Sequence, residues 1–203
     1  MNRVLKYILI GFLTVVFMYL TISFGYAKDK TFCGKVVDAD TGEPIEGAVV
    51  VVYWYEASWI PFGEWIVRLK DVKETLTDRK GEWTVKGPAG SGVNSLAYDT
   101  ALMGVTFYTR EPDFIVFKPG YCSWPNGFSI DTCRSRIRMI GGKDEGVGEG
   151  GTLQLPKLTK REDRIEAQSI QIPEGEGCLE SLTKLIRLIN EERKNLGLPE
   201  TLK

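Results

Sequence analysis

Residues 34–50, Gly-Lys-Val-Val-Asp-Ala-Asp-Thr-Gly-Glu-Pro-Ile-Glu-Gly-Ala-Val-Val, constrain the fold most, because two strand patterns there flank a turn with punctuation residues at fixed offsets. Thr41-Gly42-Glu43-Pro44 breaks the chain: Gly42 can take a positive φ, while Pro44 fixes its own φ and has no N–H to donate. The chain reverses there. Thr77-Asp78-Arg79-Lys80-Gly81-Glu82-Trp83 repeats the logic, with an Asp/Gly turn leading into the alternating Glu82-Trp83-Thr84-Val85-Lys86. Between the two units, Ala48 to Tyr55 is apolar at consecutive positions, the signature of a strand covered on both faces in the middle of a sheet. Further strand patterns fall at Phe32–Asp38, Val72–Thr77, Val105–Thr109 and Phe114–Lys118. Short strands separated by turn signals imply an all-β chain whose sheets bury their apolar faces against each other.

Gly34, Val36, Asp38, Thr41, Gly42, Pro44, Ile45, Gly47, Ala48 and Val50, then Thr77, Asp78, Gly81 and Trp83, then Lys118-Pro119-Gly120-Tyr121, carry a family likeness. On these residues the chain resembles the carboxypeptidase regulatory-like domain, a Greek-key β-sandwich of the transthyretin-like (prealbumin-like) type. The resemblance implies an accessory module of the kind that accompanies catalytic, adhesive or transport domains, and it gives a role only by association.

Composition removes several function classes. With 26 basic and 27 acidic residues the net charge is −1, so there is no electrostatic case for nucleic acid. The chain has no histidine, which excludes Ser/His and Cys/His nucleophile pairs, His-ligated zinc and the H-E-x-x-H helix together. Asp38-Ala39-Asp40-Thr41-Gly42 imitates the opening of a calcium loop, yet loop positions six and twelve hold Glu43 and Val49 instead of Gly and Glu. Neither glycine cluster, Gly90-Ser91-Gly92 or Gly146-Val147-Gly148, has the Lys-Ser/Thr or the strand-to-helix setting of a phosphate cradle. No cofactor, metal or catalytic residue is therefore expected.

The stretch from Tyr7 to Tyr26 carries no charge, follows Arg3 and Lys6, and precedes Lys28, Asp29 and Lys30. It reads either as a signal peptide over residues 1–27, with Gly25 and Ala27 at an A-x-A-like site, or as an uncleaved hydrophobic helix anchoring the chain. Both readings export the rest to the cell envelope, on the periplasmic or extracytoplasmic side of the membrane. In that compartment Cys33, Cys122, Cys133 and Cys178 allow three disulfide connectivities. The turn-rich Ser123-Trp124-Pro125-Asn126-Gly127 favours Cys122 with Cys133, leaving Cys33 to join Cys178 and staple the tail to the first strand.

The expected sandwich occupies residues 31–140. Residues 141–151, rich in glycine, read as a flexible linker, and 152–203 as a tail. In that tail Leu153-Gln154-Leu155-Pro156 suggests an edge strand or a clamp. Thr159 and Glu162 suggest a capping box opening a short helix to about Gln168. Leu179, Leu182, Leu185, Ile186, Ile189 and Leu196 recur at helical period until Gly197 and Pro199. That apolar stripe either docks on this protein or binds a partner.

The segment 56–66, Glu-Ala-Ser-Trp-Ile-Pro-Phe-Gly-Glu-Trp-Ile, is dense in aromatics. Trp54, Trp59, Phe62 and Trp65 either cap one end of the sandwich or form a patch for a ligand or a membrane. The reading this supports is a non-catalytic binding or structural accessory module of the cell envelope, with an envelope protein or a glycan as partner. Its alternatives are a carbohydrate- or surface-binding module that uses the aromatic loop, and an enzyme of unrecognised type with an acid/base drawn from Asp, Glu, Lys or Tyr.

Overall fold

The structure is a computed structural model that describes residue 7 and residues 10–14, 29–59, 65–90, 99–100, 106–125, 129–142 and 147–201. Two sheets stack on each other. The first has the order β4 (Glu82–Pro88), β1 (Asp29–Asp38), β9 (Glu149–Leu155), β8 (Arg138–Ile140). The second runs β3 (Trp65–Leu76), β2 (Val49–Trp59), β6 (Thr106–Thr109), β5 (Asp99–Thr100), with β7 (Asp113–Phe117) paired to the first half of β2. Four helices follow β7 in the described residues: α1 (Asp131–Arg136), α2 (Arg161–Glu166), α3 (Cys178–Ser181) and α4 (Thr183–Asn195). The fold is thus mostly β and sandwich-like, as the strand patterns imply.

Alternation along β2 explains its unbroken apolar run. Val50, Val52 and Trp54 point between the sheets, where they meet Phe32, Val36, Trp83, Val116, Leu153 and Leu155. Val49 and Val51 point the other way and join Ile115 and Phe117 of β7 under Leu182, Leu185, Leu188 and Ile189 of the tail. A strand buried on both faces needs this double pattern. The helical stripe therefore docks on its own sheet.

The two turns meet in space. Gly42 and Gly81 have φ of 72° and 74°, and the Val36 N–H donates to the Gly81 carbonyl at 2.8 Å. A Cβ on Gly81 would run into the Val36 carbonyl oxygen, so two constraints require glycine there. The Asp38 Oδ1 accepts the N–H groups of Asp40 (2.8 Å) and Thr41 (3.0 Å), while its Oδ2 accepts the Tyr121 hydroxyl (3.1 Å). The carboxylate of the imitation calcium loop is occupied by protein donors.

Several expectations are corrected. The glycine-rich stretch is not all linker: Glu149–Gly151 belong to β9, which runs parallel to β1 and separates it from β8. The first sheet thus continues past Ile140, and Leu153–Leu155 lie in an interior strand. Glycine composition misleads here because these glycines serve shape. A side chain on Gly148 would collide with the Phe114 ring, and Gly150 has φ 84°. Thr159 and Glu162 form no capping box; α2 is preceded by Lys160 and has no side-chain cap. The last helical stripe breaks at Leu182, with φ −105° and ψ 36°, so α3 and α4 are separate and Leu179 is exposed while Leu182 is buried. Helix α1 and strand β8 have no counterpart in the sequence reading. Residues 10–14 are helical; most of the stretch 7–26 lies outside the described residues, and among the described residues no helix is long and apolar enough to cross a membrane.

Candidate functional site

Strand direction defines two ends. Strand β1 reaches the turn end at Asp38, where β2 begins; the far end holds the start of β1 and the end of β2. The Phe32 and Trp54 rings, 5.8 Å apart, mark a common level near the middle. From that level the β2–β3 hairpin continues to Trp59 and Trp65, which stand opposite each other in register. Strands β6 and β5 extend the same ladder sideways.

A bulge marks where this extension begins. Trp54 faces Asp71 and Tyr55 faces Leu69, leaving Lys70 without a register partner. An extra residue of this kind bends the strand and increases its twist. The Lys70 ammonium donates to the Thr109 hydroxyl at 2.6 Å and lies 3.9 Å from the Glu56 carboxylate, which also pairs with Arg68. The Arg110 N–H donates to the Tyr55 carbonyl at 2.8 Å. Charge and backbone bonds together fasten β2, β3 and β6 at the base of the extension.

The aromatic candidates separate accordingly. Trp54 is no surface residue: it is fully buried, its ring covers Gly87, and a side chain on Gly87 would overlap it. Its position on the inward face of β2 fixes this, and alternation from Val50 and Val52 is the signal that identifies it. Trp59 is the last residue of β2 and Trp65 the first of β3, so both positions are strand where a loop is expected. Phe62 lies outside the described residues.

Ionisable groups on the outer face of the hairpin are tuned by burial. Tyr53 and Tyr55 pack edge to face at 5.7 Å. Burial, aided by the negative charge of Asp113, pushes the Tyr53 hydroxyl up to about 12. Burial also raises Tyr55 and raises Asp113, the latter against the pull of Arg110. A phenol so placed stays protonated at neutral pH and cannot serve as a general base. Where the tail crosses the bulge, a cavity of about 150 Å³ is lined by Leu69, Lys70, Asp71, Glu176, Cys178 and Ser181. Small-molecule sites run to roughly 300–1,000 Å³, so this one is small for a substrate. Burial also raises the Cys178 thiol, which keeps the nucleophilic thiolate scarce.

Cys122 and Cys133 form a disulfide, with Cα atoms 5.7 Å apart, that ties α1 to the segment after β7. The second expected bond is absent: Cys33 and Cys178 are both free. Cys33 is exposed on β1 of the first sheet, and Cys178 is buried against the outer face of the second. The sandwich lies between them, beyond the reach of a disulfide. Among the described residues no three His, Cys, Asp or Glu side chains converge as metal ligands.

Two polar contacts escape sequence reasoning. Glu74 on β3 accepts the N–H groups of Lys184 (2.6 Å) and Leu185 (3.0 Å) and the Thr183 hydroxyl (3.1 Å), capping α4 from another element. Arg164 makes two 2.7 Å bonds to the buried Glu192 and joins α2 to α4. No local motif announces partners separated by 28 or 110 residues.

Comparison with protein-family models, with curated protein sequences and with solved structures gave no match for this chain.

Proposed function

We propose that the chain is a non-catalytic binding or structural accessory module of the cell envelope, a transthyretin-like Greek-key sandwich of the carboxypeptidase regulatory-like kind. Residues that carry the family likeness also build the two turns, Asp38 and Gly42 in the first and Asp78 and Gly81 in the second, and the Val36–Gly81 bond joins them. The uncharged stretch 7–26 supports export, and the Cys122–Cys133 bond fits an oxidising compartment. The observation that carries the binding reading is the docked tail. With the outer face over Val49, Val51, Ile115 and Phe117 filled by the tail, that face is closed to a partner, and the reading places the partner toward the far end of the β2–β3 hairpin, where Val67 is exposed.

The alternative is a carbohydrate-binding module in which Trp59, Phe62 and Trp65 stack on sugar rings. A glycan array and a pull-down from envelope extract, each run on the wild type and on Trp59→Ala/Trp65→Ala, decide between them. An envelope protein retained by the wild type and lost by the double variant, with no glycan bound, is the expected result. Glycan binding that disappears in the double variant would replace the accessory reading with the carbohydrate one.

A further inference from the structure

We infer that the outer face of the first sheet is where two copies of this chain meet, weakly, about a two-fold axis at the level of Cys33. This contact does not depend on the export reading and lies on the sheet opposite the hairpin.

The two outer faces of the sandwich differ. The tail covers that of the second sheet, whereas on the first sheet Thr31 and Cys33 of β1 and Glu82, Thr84 and Lys86 of β4 are all exposed. Alternation puts them there: Phe32, Val36, Trp83 and Val85 fill the core, so the residues between them on each strand point outward. Among the described residues neither Glu82 nor Lys86 joins an ion pair. Their charges are free to meet another molecule.

Register makes this face complementary to itself. Cys33 stands opposite Thr84, Thr31 opposite Lys86, and Lys35 opposite Glu82. Opposite charges on β4 therefore lie at equal distances on either side of the Cys33–Thr84 row. A two-fold axis along that row, in the plane between two stacked faces, lays each strand over its own copy and reverses its direction. Glu82 then faces Lys86 of the second copy, Lys86 faces its Glu82, and Lys35 faces its Thr31. Cys33 and Thr84 each face themselves. No like charges meet in these rows, and aligned sheets pack with strand directions within about 30° of each other, so twist does not break the match. Charge opposition of this kind fixes register and rejects other partners more than it adds affinity. Strands about 4.8 Å apart and at most roughly 33 Å long give a four-stranded face of no more than about 500 Å². A standard stable interface buries about 800 Å² per partner, so this contact is weak and reversible.

The test joins the two copies across the axis. The purified full chain in detergent is treated with a short bismaleimide, which reaches the exposed Cys33 thiol while Cys178 is buried. Wild type should give a covalent dimer that Cys33→Ser abolishes. Glu82→Lys or Lys86→Glu alone sets two like-charged pairs across the axis and should cut the cross-linked fraction roughly tenfold. Glu82→Lys/Lys86→Glu restores opposite charges and should recover it, with near-ultraviolet circular dichroism unchanged throughout. Absence of the wild-type dimer, a yield indifferent to the single reversals, or a folded double variant that fails to recover would each overturn the contact. Cys33 shielded from maleimide in isolated membranes but open and uncoupled in purified protein would also overturn it, in favour of a different protein on this face. None of these outcomes bears on the hairpin as the partner surface.

Discussion

Tyr53 shows how one side chain's surroundings become a measurable property. Its hydroxyl, ordinarily near 10.0, is pushed to about 12, first by burial and then by the charge of Asp113. Below pH 10 both the folded and the unfolded chain keep this proton, and the contribution of Tyr53 to stability is complete. Between pH 10 and about 12 the unfolded chain ionises first, so the contribution falls as pH rises and is lost past the folded value. Tyr53→Phe should flatten that part of the stability profile, measured by urea unfolding at successive pH values. A variant that loses stability as steeply as the wild type across the window would contradict the assignment. At this scale the sequence is legible where backbone conformation dictates the residue, as at Gly42 and Gly81. It is less legible at Trp54, because an aromatic next to an aromatic-rich segment looks like part of a patch until the alternation from Val50 places it inside.

Among the elements, β2 and the two turns are readable because apolar alternation and glycine punctuation are local signals. The tail is half readable: the apolar period reveals the stripe of α4, but the force that fixes its start is a carboxylate from β3. Glu74 is 5% exposed as a side chain and satisfies donors in the first turn of α4, which Leu182, at the N-cap position, cannot do. Replacing a capping acceptor costs about 0.5–2 kcal/mol, and the burial of Glu74 points to the upper part of that range. Glu74→Ala should lower the urea midpoint accordingly, with amide exchange accelerated first in residues 183–187. Uniformly accelerated exchange would show instead that Glu74 acts on the sheet. Arg164 offers a second hold on the same helix. Arg164→Ala strands the buried Glu192, and breaking a buried pair costs about 3–5 kcal/mol, less here because Arg164 is 26% exposed. The double variant Arg164→Leu/Glu192→Leu should recover part of that loss in a double-mutant cycle, whereas additive losses would deny the coupling.

For the whole molecule, the boundary between sandwich and tail is where composition and topology disagree, and truncation distinguishes their consequences. Ending the chain after Ile140 removes β9, which supplies Leu153 and Leu155 to the core and is the strand to which both β1 and β8 pair. The first sheet would be reduced to β1 and β4, with one side of the core open. This variant should lose its near-ultraviolet circular dichroism and its cooperative unfolding. Ending the chain after Lys160 keeps both sheets and α1 and removes α2, α3 and α4 with their connections, exposing Val49, Val51, Ile115 and Phe117 as one apolar face. Such a face drives association, so this variant should remain β-structured but self-associate, read as a larger species by size exclusion and as increased dye binding. If the shorter chain were to unfold cooperatively like the full one, β9 would be an appendage and the glycine-rich stretch a true linker. If the longer one stayed monomeric, the face beneath α4 would be stable in water, and the tail could leave it to engage another protein.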